Sequence, residues 1–379
     1  MKLLFCITAM TKGGAERVMS IIANELVKEN EVTIVCLANK EIEYKLDQRI
    51  NIEFLDKKKR SKNLIIVNYN RYSKLKDYIH KNCPDIIISF LPVPSLLCSM
   101  VKNKTPLIIC ERNDPQKEFS SWLIRNLMKC LYPKANGFVF QTNEQMQYFS
   151  DKIQKKAVVI FNPLKDEFLE INREIKKENT IISVGRLVEQ KNHKLLIEAF
   201  SDICKKYTEY KLKIYGEGPL REELQKRIND LNMADKILLC GVTNDIKTEL
   251  NKAKIFVMSS NYEGMPNALN EAMAMGLAVI STNCPCGGPR EVIQNGVNGL
   301  LIKVNDKKEL TDKIEELITN DEKIQLMGEE AEKIKYKLCS DNIIKKWKEY
   351  INNIYDYCGE VPNGKNDKAY SKKINSMDK

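Results

Sequence analysis

The chain has 379 residues, 43% of them apolar, and a formal net charge of +10. That length and apolar content suffice for two globular domains and exclude an intrinsically disordered protein. No apolar run reaches the roughly 18–20 residues of a membrane span. The positive charge favours an anionic partner (nucleic acid, a phosphorylated substrate or an anionic membrane surface) without choosing among them.

The first apolar run, residues 2–9, is short, has one preceding Lys and ends at Thr11-Lys12-Gly13-Gly14, so it is predicted to be a buried strand and not a signal core. Further strands are predicted at 31–38, 50–55, 86–91, 107–110, 137–141 and 158–161, with helical stretches between them, notably 15–29 and 69–81. Near-continuous Val, Ile and Leu runs suit strands covered on both faces. The pattern is a doubly wound parallel α/β sheet. Asn162-Pro163 closes the series, and the charged segment 165–178 reads as a linker. The alternation then restarts, with strands predicted at 180–184, 211–215, 237–239, 255–258, 278–281 and 299–302. The expected organisation is one domain over 1–165 and a second over 166–340. A last amphipathic helix over 341–358, carrying Trp347, Ile351 and Ile354, is able to cross back to the first domain, and a disordered polar tail fills 359–379.

Of the 12 cysteines, Cys6, Cys36, Cys110 and Cys240 lie in apolar strand-like runs and are expected in the core as reduced thiols. Cys284 and Cys286 are close together, but His80 and His193 are the only histidines and no second cysteine pair has ligand spacing. No metal site is expected.

Two constellations carry chemistry. Between the strands at 255–258 and 278–281, Pro266 suits the start of a helix and Gly276 its C′ position, so Glu263 precedes that helix and Glu271 lies about a turn inside it. Both carboxylates can face the crevice at the carboxyl end of a parallel sheet, where open α/β folds bind ligands. Likewise Arg186 and Lys191 stand just beyond the strand at 180–184, before a helix that begins near Lys194. Two cations beside a helix N-terminus make a diphosphate site and can neutralise charge that grows on a departing diphosphate. Gly216-Glu217-Gly218 superficially matches a dinucleotide fingerprint. Its third glycine position holds Arg221, and no fingerprint follows the first strand, which argues against a nicotinamide cofactor.

Several motifs together carry a resemblance: Gly185-Arg186-Leu187 with Lys191-Asn192, Tyr215-Gly216-Glu217-Gly218-Pro219-Leu220, Glu263-Gly264-Met265-Pro266 with Glu271-Ala272-Met273, Cys284-Pro285-Cys286-Gly287-Gly288-Pro289-Arg290-Glu291, and Asn295-Gly296-Val297-Asn298-Gly299. On these residues the second half resembles the family 4 retaining glycosyltransferases of the GT-B architecture, two Rossmann-like doubly wound domains facing a central cleft. Lys12-Gly13-Gly14-Ala15-Glu16-Arg17 resembles the opening loop of that family. The resemblance spans about residues 1–357, and the Glu pair is its most specific element.

The resemblance implies a hexosyl- or N-acetylhexosaminyltransferase that needs no cofactor or metal. Its donor would be a nucleotide sugar, with UDP-sugar favoured, and its acceptor a glycan, lipid-linked, in capsule, exopolysaccharide or O-antigen synthesis. It implies that Glu263 hydrogen-bonds the donor sugar and that the backbone of Gly264, Met265, Pro266 and Asn267 reaches the same sugar. Glu271 would accept from the ribose hydroxyls, and Arg186 and Lys191 would hold the diphosphate. Gly13 and Gly14 would let the backbone approach the phosphates, and Gly216 would line the nucleotide pocket.

Many members also place a His in the first domain near the reacting sugar. Here that stretch reads Cys110-Glu111-Arg112-Asn113-Asp114-Pro115, so Glu111, Arg112 and Asn113 are the acceptor-side candidates, and no imidazole base is available there. The basic run Lys57-Lys58-Lys59-Arg60-Ser61-Lys62 and the mixed stretch from Trp122 to Lys129 are expected to touch an anionic leaflet, at the cytoplasmic face of the cell membrane. A nucleotide-sugar epimerase of the same architecture is one competing reading. A basic nucleic-acid-binding protein is another, although no recognisable module interleaves aromatic and basic residues, so nucleic acid is not an expected partner.

Overall fold

The structure, a computed structural model, describes residues 1–11, 13–39, 41–56, 63–101, 103–118 and 121–360. Lys12, the basic run 57–62 and the tail from 361 onward lie outside the described residues. The chain packs as two units, Met1–Pro163 together with the segment that starts at Asp341, and Leu164–Ser340.

The first unit holds strands β1 (Lys2–Ile7), β2 (Glu31–Cys36), β3 (Asn51–Phe54), β4 (Ile86–Phe90), β5 (Leu107–Cys110), β6 (Gly137–Phe140) and β7 (Ala157–Val159). Its helices are α1 (Gly14–Leu26), α2 (Leu64–Asn82), α3 (Pro92–Met100), α4 (Pro115–Glu118), α5 (Trp122–Leu131), α6 (Asn143–Gln147) and α7 (Asp151–Gln154). The strands form one parallel sheet in the order β3-β2-β1-β4-β5-β6-β7. β1 and β4 are wholly apolar apart from Lys2 and Ser89 because helices cover both of their faces.

The second unit holds β8 (Thr180–Val184), β9 (Lys211–Tyr215), β10 (Ile237–Gly241), β11 (Ile255–Met258), β12 (Ala278–Thr282) and β13 (Leu300–Ile302). Its helices are α8 (His193–Cys204), α9 (Arg221–Asp230), α10 (Ile246–Lys252), α11 (Asn267–Ala274), α12 (Gly288–Val292), α13 (Lys307–Ile318), α14 (Asp321–Glu332) and α15 (Ile334–Leu338). The sheet order is β10-β9-β8-β11-β12-β13, again parallel. The winding reverses between β8 and β11, so the loops leaving these two neighbours diverge and open a crevice at their carboxyl ends.

Cys240 corrects one expectation. It is exposed, because β10 is the edge strand and alternates burial along its length, whereas Cys6, Cys36 and Cys110 are buried as expected. Residues 164–179 are also more than a free connector. Phe168 is fully buried, the Leu164 amide donates to the Leu338 carbonyl, the Glu178 amide donates to Lys252, and Arg173 pairs with Glu332. The segment is strapped onto the second unit.

The final helix, α16 (Ser340–Glu360), packs on the first unit opposite the α2 side of the sheet. Its Trp347 is fully buried and stacks on Phe90 at 6.2 Å between ring centroids. The Tyr350 hydroxyl accepts from the Phe138 amide at 2.8 Å and donates to the Lys156 carbonyl at 2.5 Å. Gly137 makes the approach possible, since a Cβ there would stand 2.5 Å from that hydroxyl and 2.8 Å from Ile354.

Candidate active site

In the second unit the diverging loops are stitched to each other. After β8, Gly185-Arg186-Leu187 runs beneath the β9 turn: Gly185 donates to Tyr215, Leu187 to Glu217, and Leu220 back to Leu187. This backbone-on-backbone contact explains Gly216 and Gly218. A Cβ on Gly216 would stand 2.0 Å from the Gly185 carbonyl oxygen, and one on Gly218 would stand 2.4 Å from that of Leu187. Gly216 therefore serves the close packing of the β8 and β9 loops.

The segment Glu189-Gln190-Lys191-Asn192 meets the loop after β11. The Asn261 amide donates to Gln190 at 2.8 Å, its side chain donates to the Glu189 carbonyl at 2.8 Å, and Gln190 donates to the Tyr262 carbonyl at 3.0 Å. Asn192, held in the left-handed region at φ 46°, donates to Asn261 at 3.2 Å and to Asn305 at 2.7 Å. Ser259 closes the seam with contacts to the Lys191 and Asn192 carbonyls at 3.1 and 2.9 Å. The left-handed turn at Asn192 aims Lys191 across the seam at Glu263.

Lys191 Nζ and Glu263 Oε1 are 2.5 Å apart, with side chains 17% and 8% exposed. The same Oε1 accepts from the Ser260 hydroxyl at 2.7 Å. Two functional groups are thereby aimed and left with capacity. Lys191 has three N–H donors and spends one on Glu263, and Glu263 keeps Oε2 as an acceptor. Arg186 is exposed at the mouth of the β8 loop, with no ion pair among the described residues. Glu271 is buried on α11 one turn inside the helix, as its spacing required. Pro266 occupies the N-cap, one position earlier than a first-turn placement, and Gly276 takes C′ at φ 68°.

Beneath Glu263 and α11 lies the loop from Cys284 to Pro289. Its backbone comes so close that a Cβ on Gly288 would stand 1.6 Å from the Gly264 carbonyl oxygen. Met265 and Cys284 are buried here, and burial, reinforced by the Glu263 carboxylate, pushes the Cys284 thiol up to about 12. Asn267, as the first residue of α11, sits with the Gly264-Met265-Pro266 loop at the helix N-terminus, where backbone N–H groups are unsatisfied within the helix.

His193 opens α8 directly behind Lys191. Its ring is buried against the Gly185 and Arg186 backbone, and neither nitrogen has a partner of good hydrogen-bond geometry among the described residues. Burial first, and the Lys191 charge second, lower it from 6.5 to about 4. Sequence reasoning missed this buried imidazole and the seam formed by Asn192, Ser259, Asn261 and Asn305. The contacts join segments about 70 to 110 residues apart, so no local pattern marks them.

The first-unit candidates have different surroundings. Glu111 is buried at the end of β5 and accepts from the Tyr132 hydroxyl at 2.8 Å. The Arg112 guanidinium lies 4.4 Å over Phe90 and 5.7 Å from the Trp347 ring, with Nη1 donating to Asn162 at 3.1 Å. Burial lowers its pKa, and the neighbouring Cys110 thiol acts against that shift. Asn113 is only partly buried and receives the Gln145 amide on its carbonyl at 2.7 Å. Gly13 is the N-cap of α1. The space a Cβ would occupy is filled by the carboxylate of Glu16, 2.2 Å away, and the Gly13 amide donates to the Tyr44 hydroxyl at 3.1 Å. Glu16 belongs to the first turn of α1, where a helix N-terminus attracts an acid. Gly14 begins α1 beside it.

Comparison with known proteins places this geometry. Residues 165–334 match the family model for glycosyl transferases group 1, and residues 12–168 match that for glycosyltransferase family 4. A Campylobacter jejuni protein is 30% identical over 330 residues, 85% of this chain and 90% of that one. The chain belongs to glycosyltransferase family 4. That relative is named as a GalNAc-alpha-(1->4)-GalNAc-alpha-(1->3)-diNAcBac-PP-undecaprenol alpha-1,4-N-acetyl-D-galactosaminyltransferase. The Erwinia amylovora amylovoran biosynthesis glycosyltransferase AmsD is 27% identical, over 93% of this glycosyltransferase and 99% of its own length. Among solved structures, Anabaena Alr3699/HepE in complex with UDP has a TM-score of 0.81 at 18% identity, covering 93% of this chain and 100% of that one. The shared fold is the two-domain Rossmann-like GT-B architecture.

Proposed function

We propose that this glycosyltransferase moves a hexosyl or N-acetylhexosaminyl unit from a UDP-sugar to a lipid-linked glycan, with retention at the anomeric carbon, in the synthesis of a cell-surface polysaccharide. The observation that carries the proposal is the Lys191–Glu263 pair. It sits at the switch point of the second unit's sheet, with Arg186 on one side and the Gly264–Asn267 turn and Glu271 on the other. In this reading Lys191 and Arg186 meet the diphosphate, Glu263 Oε2 accepts from a sugar hydroxyl, and Glu271 takes the ribose. The acceptor hydroxyl attacks the anomeric carbon from the side on which the diphosphate leaves. The bond from that carbon to the phosphate oxygen breaks, the new C–O bond forms, and the hydroxyl proton passes to the departing oxygen. Charge stabilisation and positioning then supply the rate, and no side-chain base is needed. With two cations on the diphosphate, no divalent ion is required.

The acceptor class is supported by the C. jejuni relative, whose name places its acceptor on PP-undecaprenol, and by AmsD, named for amylovoran biosynthesis. Glu111, Arg112 and Asn113 are proposed as the acceptor-side edge, of which Asn113 is the partly exposed member. A lipid-linked acceptor also calls for contact with an anionic leaflet at the cytoplasmic face of the membrane. The test is a panel of UDP-sugars read by UDP release, with a lipid-linked oligosaccharide present or absent and with EDTA in excess. Release that depends on the acceptor, survives EDTA and yields an α-linked product by NMR is expected. Interconversion of the donor without acceptor would instead mark an epimerase, and an absolute need for Mg²⁺ would remove the assigned role of Arg186 and Lys191.

A further inference from the structure

Two helices of the first unit turn large apolar side chains to the outside. α2 and α5 flank α3 on one face of the sheet and reach the core beneath through Leu75 and Ile79, and through Met128 and Leu131. Their remaining apolar residues do not go inward: Ile65 is 80% exposed, Tyr69 69%, Trp122 70% and Leu123 69%, with Ile66 and Leu127 exposed beside them. Scattered apolar residues are ordinary on a protein surface, but this many at the same end of two helices on either side of α3 mark an interaction surface. All six fall in the first two turns of their helices. Each helix runs back to feed the next parallel strand, so these turns lie at the sheet's carboxyl edge. α5 also carries exposed Arg125 and Lys129 and no acidic residue. On α5, Trp122, Arg125 and Lys129 follow one another at i, i+3 and i+7 along one stripe, with Leu123 and Leu127 beside it, and such a mixture of apolar and cationic side chains without an acid fits an interface between apolar chains and anionic headgroups.

We infer that this face docks the enzyme on a lipid bilayer by inserting apolar side chains, chiefly Trp122, Leu123, Ile65 and Tyr69, below the headgroups. The inference rests on the reading that the acceptor is lipid-linked, which requires the first unit to work at a membrane surface. It commits to insertion as the main hold, with Arg125 and Lys129 adding attraction to anionic lipid. Insertion differs from purely electrostatic attachment in its response to salt. At about 1 M salt the screening length falls to ~3 Å, so a charge-based hold releases while an apolar one strengthens.

The experiment is vesicle flotation of the full chain, without donor or acceptor, on phosphatidylcholine vesicles and on vesicles containing phosphatidylglycerol, at low salt and at about 1 M salt. The wild type is expected to float with both and to remain bound at high salt. The double variant W122S/L123S, and separately I65S/Y69S, should partition at least about tenfold less, on the scale of apolar transfer. UDP affinity should be unchanged in both, which controls for folding. Unchanged partitioning of both variants overturns the inference, as does loss of wild-type binding at high salt, which would move the hold to basic residues. A concentration-dependent dimer that W122S/L123S abolishes, without vesicle binding by the wild type, assigns the face to a second copy of the chain and also overturns it. Acceptor use is read separately. Firm vesicle binding with no transfer to a lipid-linked acceptor leaves the docking face standing and removes the acceptor assignment.

Discussion

Replacing Lys191 by Met removes a charge that Glu263 depends on. The two side chains are 2.5 Å apart and mostly buried, and the remaining carboxylate would keep only the Ser260 hydroxyl. Leaving one member of a buried pair uncompensated costs about 3–5 kcal/mol. With Lys191 itself 17% exposed, water can enter, and the low end, about 3 kcal/mol, is expected. Glu263→Gln alone should cost less, because its amide oxygen still accepts from Ser260. The double variant K191M/E263Q buries no charge and should recover most of the loss, giving a coupling of about 2 kcal/mol. Transfer behaves differently. The diphosphate loses the Lys191 ammonium in both K191M and the double variant, so UDP release should fall about 10²-fold or more in each. Urea unfolding followed by circular dichroism measures the first quantity. Trp122 and Trp347 both lie in the first unit, so tryptophan fluorescence serves as an internal control that should hold its midpoint. A coupling below about 0.5 kcal/mol would show that the pair does not organise the seam. Recovery of transfer in the double variant would show that Lys191 serves only to hold Glu263.

Three further outcomes follow from the same site. His193, held at about 4 against an ordinary 6.5, is neutral in both states above pH 6.5. As the pH falls the unfolded chain takes up the proton first, so stability is lost between pH 6.5 and 4. From pH 6.5 to 5 the loss is about 2 kcal/mol, and His193→Gln should remove that part of the slope in urea midpoints. Gly288→Ala places a methyl 1.6 Å from the Gly264 carbonyl, which must move the donor loop. UDP affinity should drop while the first-unit fluorescence transition is retained, and a wild-type affinity would show that the loop is free to shift. Glu271→Gln should weaken UDP binding about tenfold by calorimetry, as a charge-assisted bond becomes a neutral one, and unchanged affinity removes its ribose role.

The strands were legible almost to the residue because parallel strands buried on both faces must be continuous apolar runs, as in Ile86 to Phe90 and Ile255 to Met258. The same rule misplaced Cys240, since edge position is a property of sheet order and leaves no mark on a five-residue segment. Within the candidate site, Glu263 and Glu271 were readable from the Pro and Gly that bracket their helix. The pairing of Glu263 with Lys191 was not, because it depends on a left-handed Asn192 and on hydrogen bonds across distant loops. Nor was it legible that Gly216 lets the β9 turn lie directly on the Gly185 backbone, since that contact joins two loops about 30 residues apart.

The return of α16 to the first unit bears on how the molecule is made. During synthesis the second unit is an uninterrupted stretch, complete once Ser340 has emerged. The first unit is begun earlier but finished later. Until α16 appears, the surface around Phe90, Phe138 and Ile343's eventual neighbours has no Trp347 or Tyr350 to cover it. Domains generally fold as units in the order they leave the ribosome, and here the order is inverted: the part begun first must wait, with an apolar strip open, for a helix made after the whole second unit. A chain cut short before α16 would therefore hold the whole second unit while leaving the apolar strip around Phe90 in the first unit uncovered.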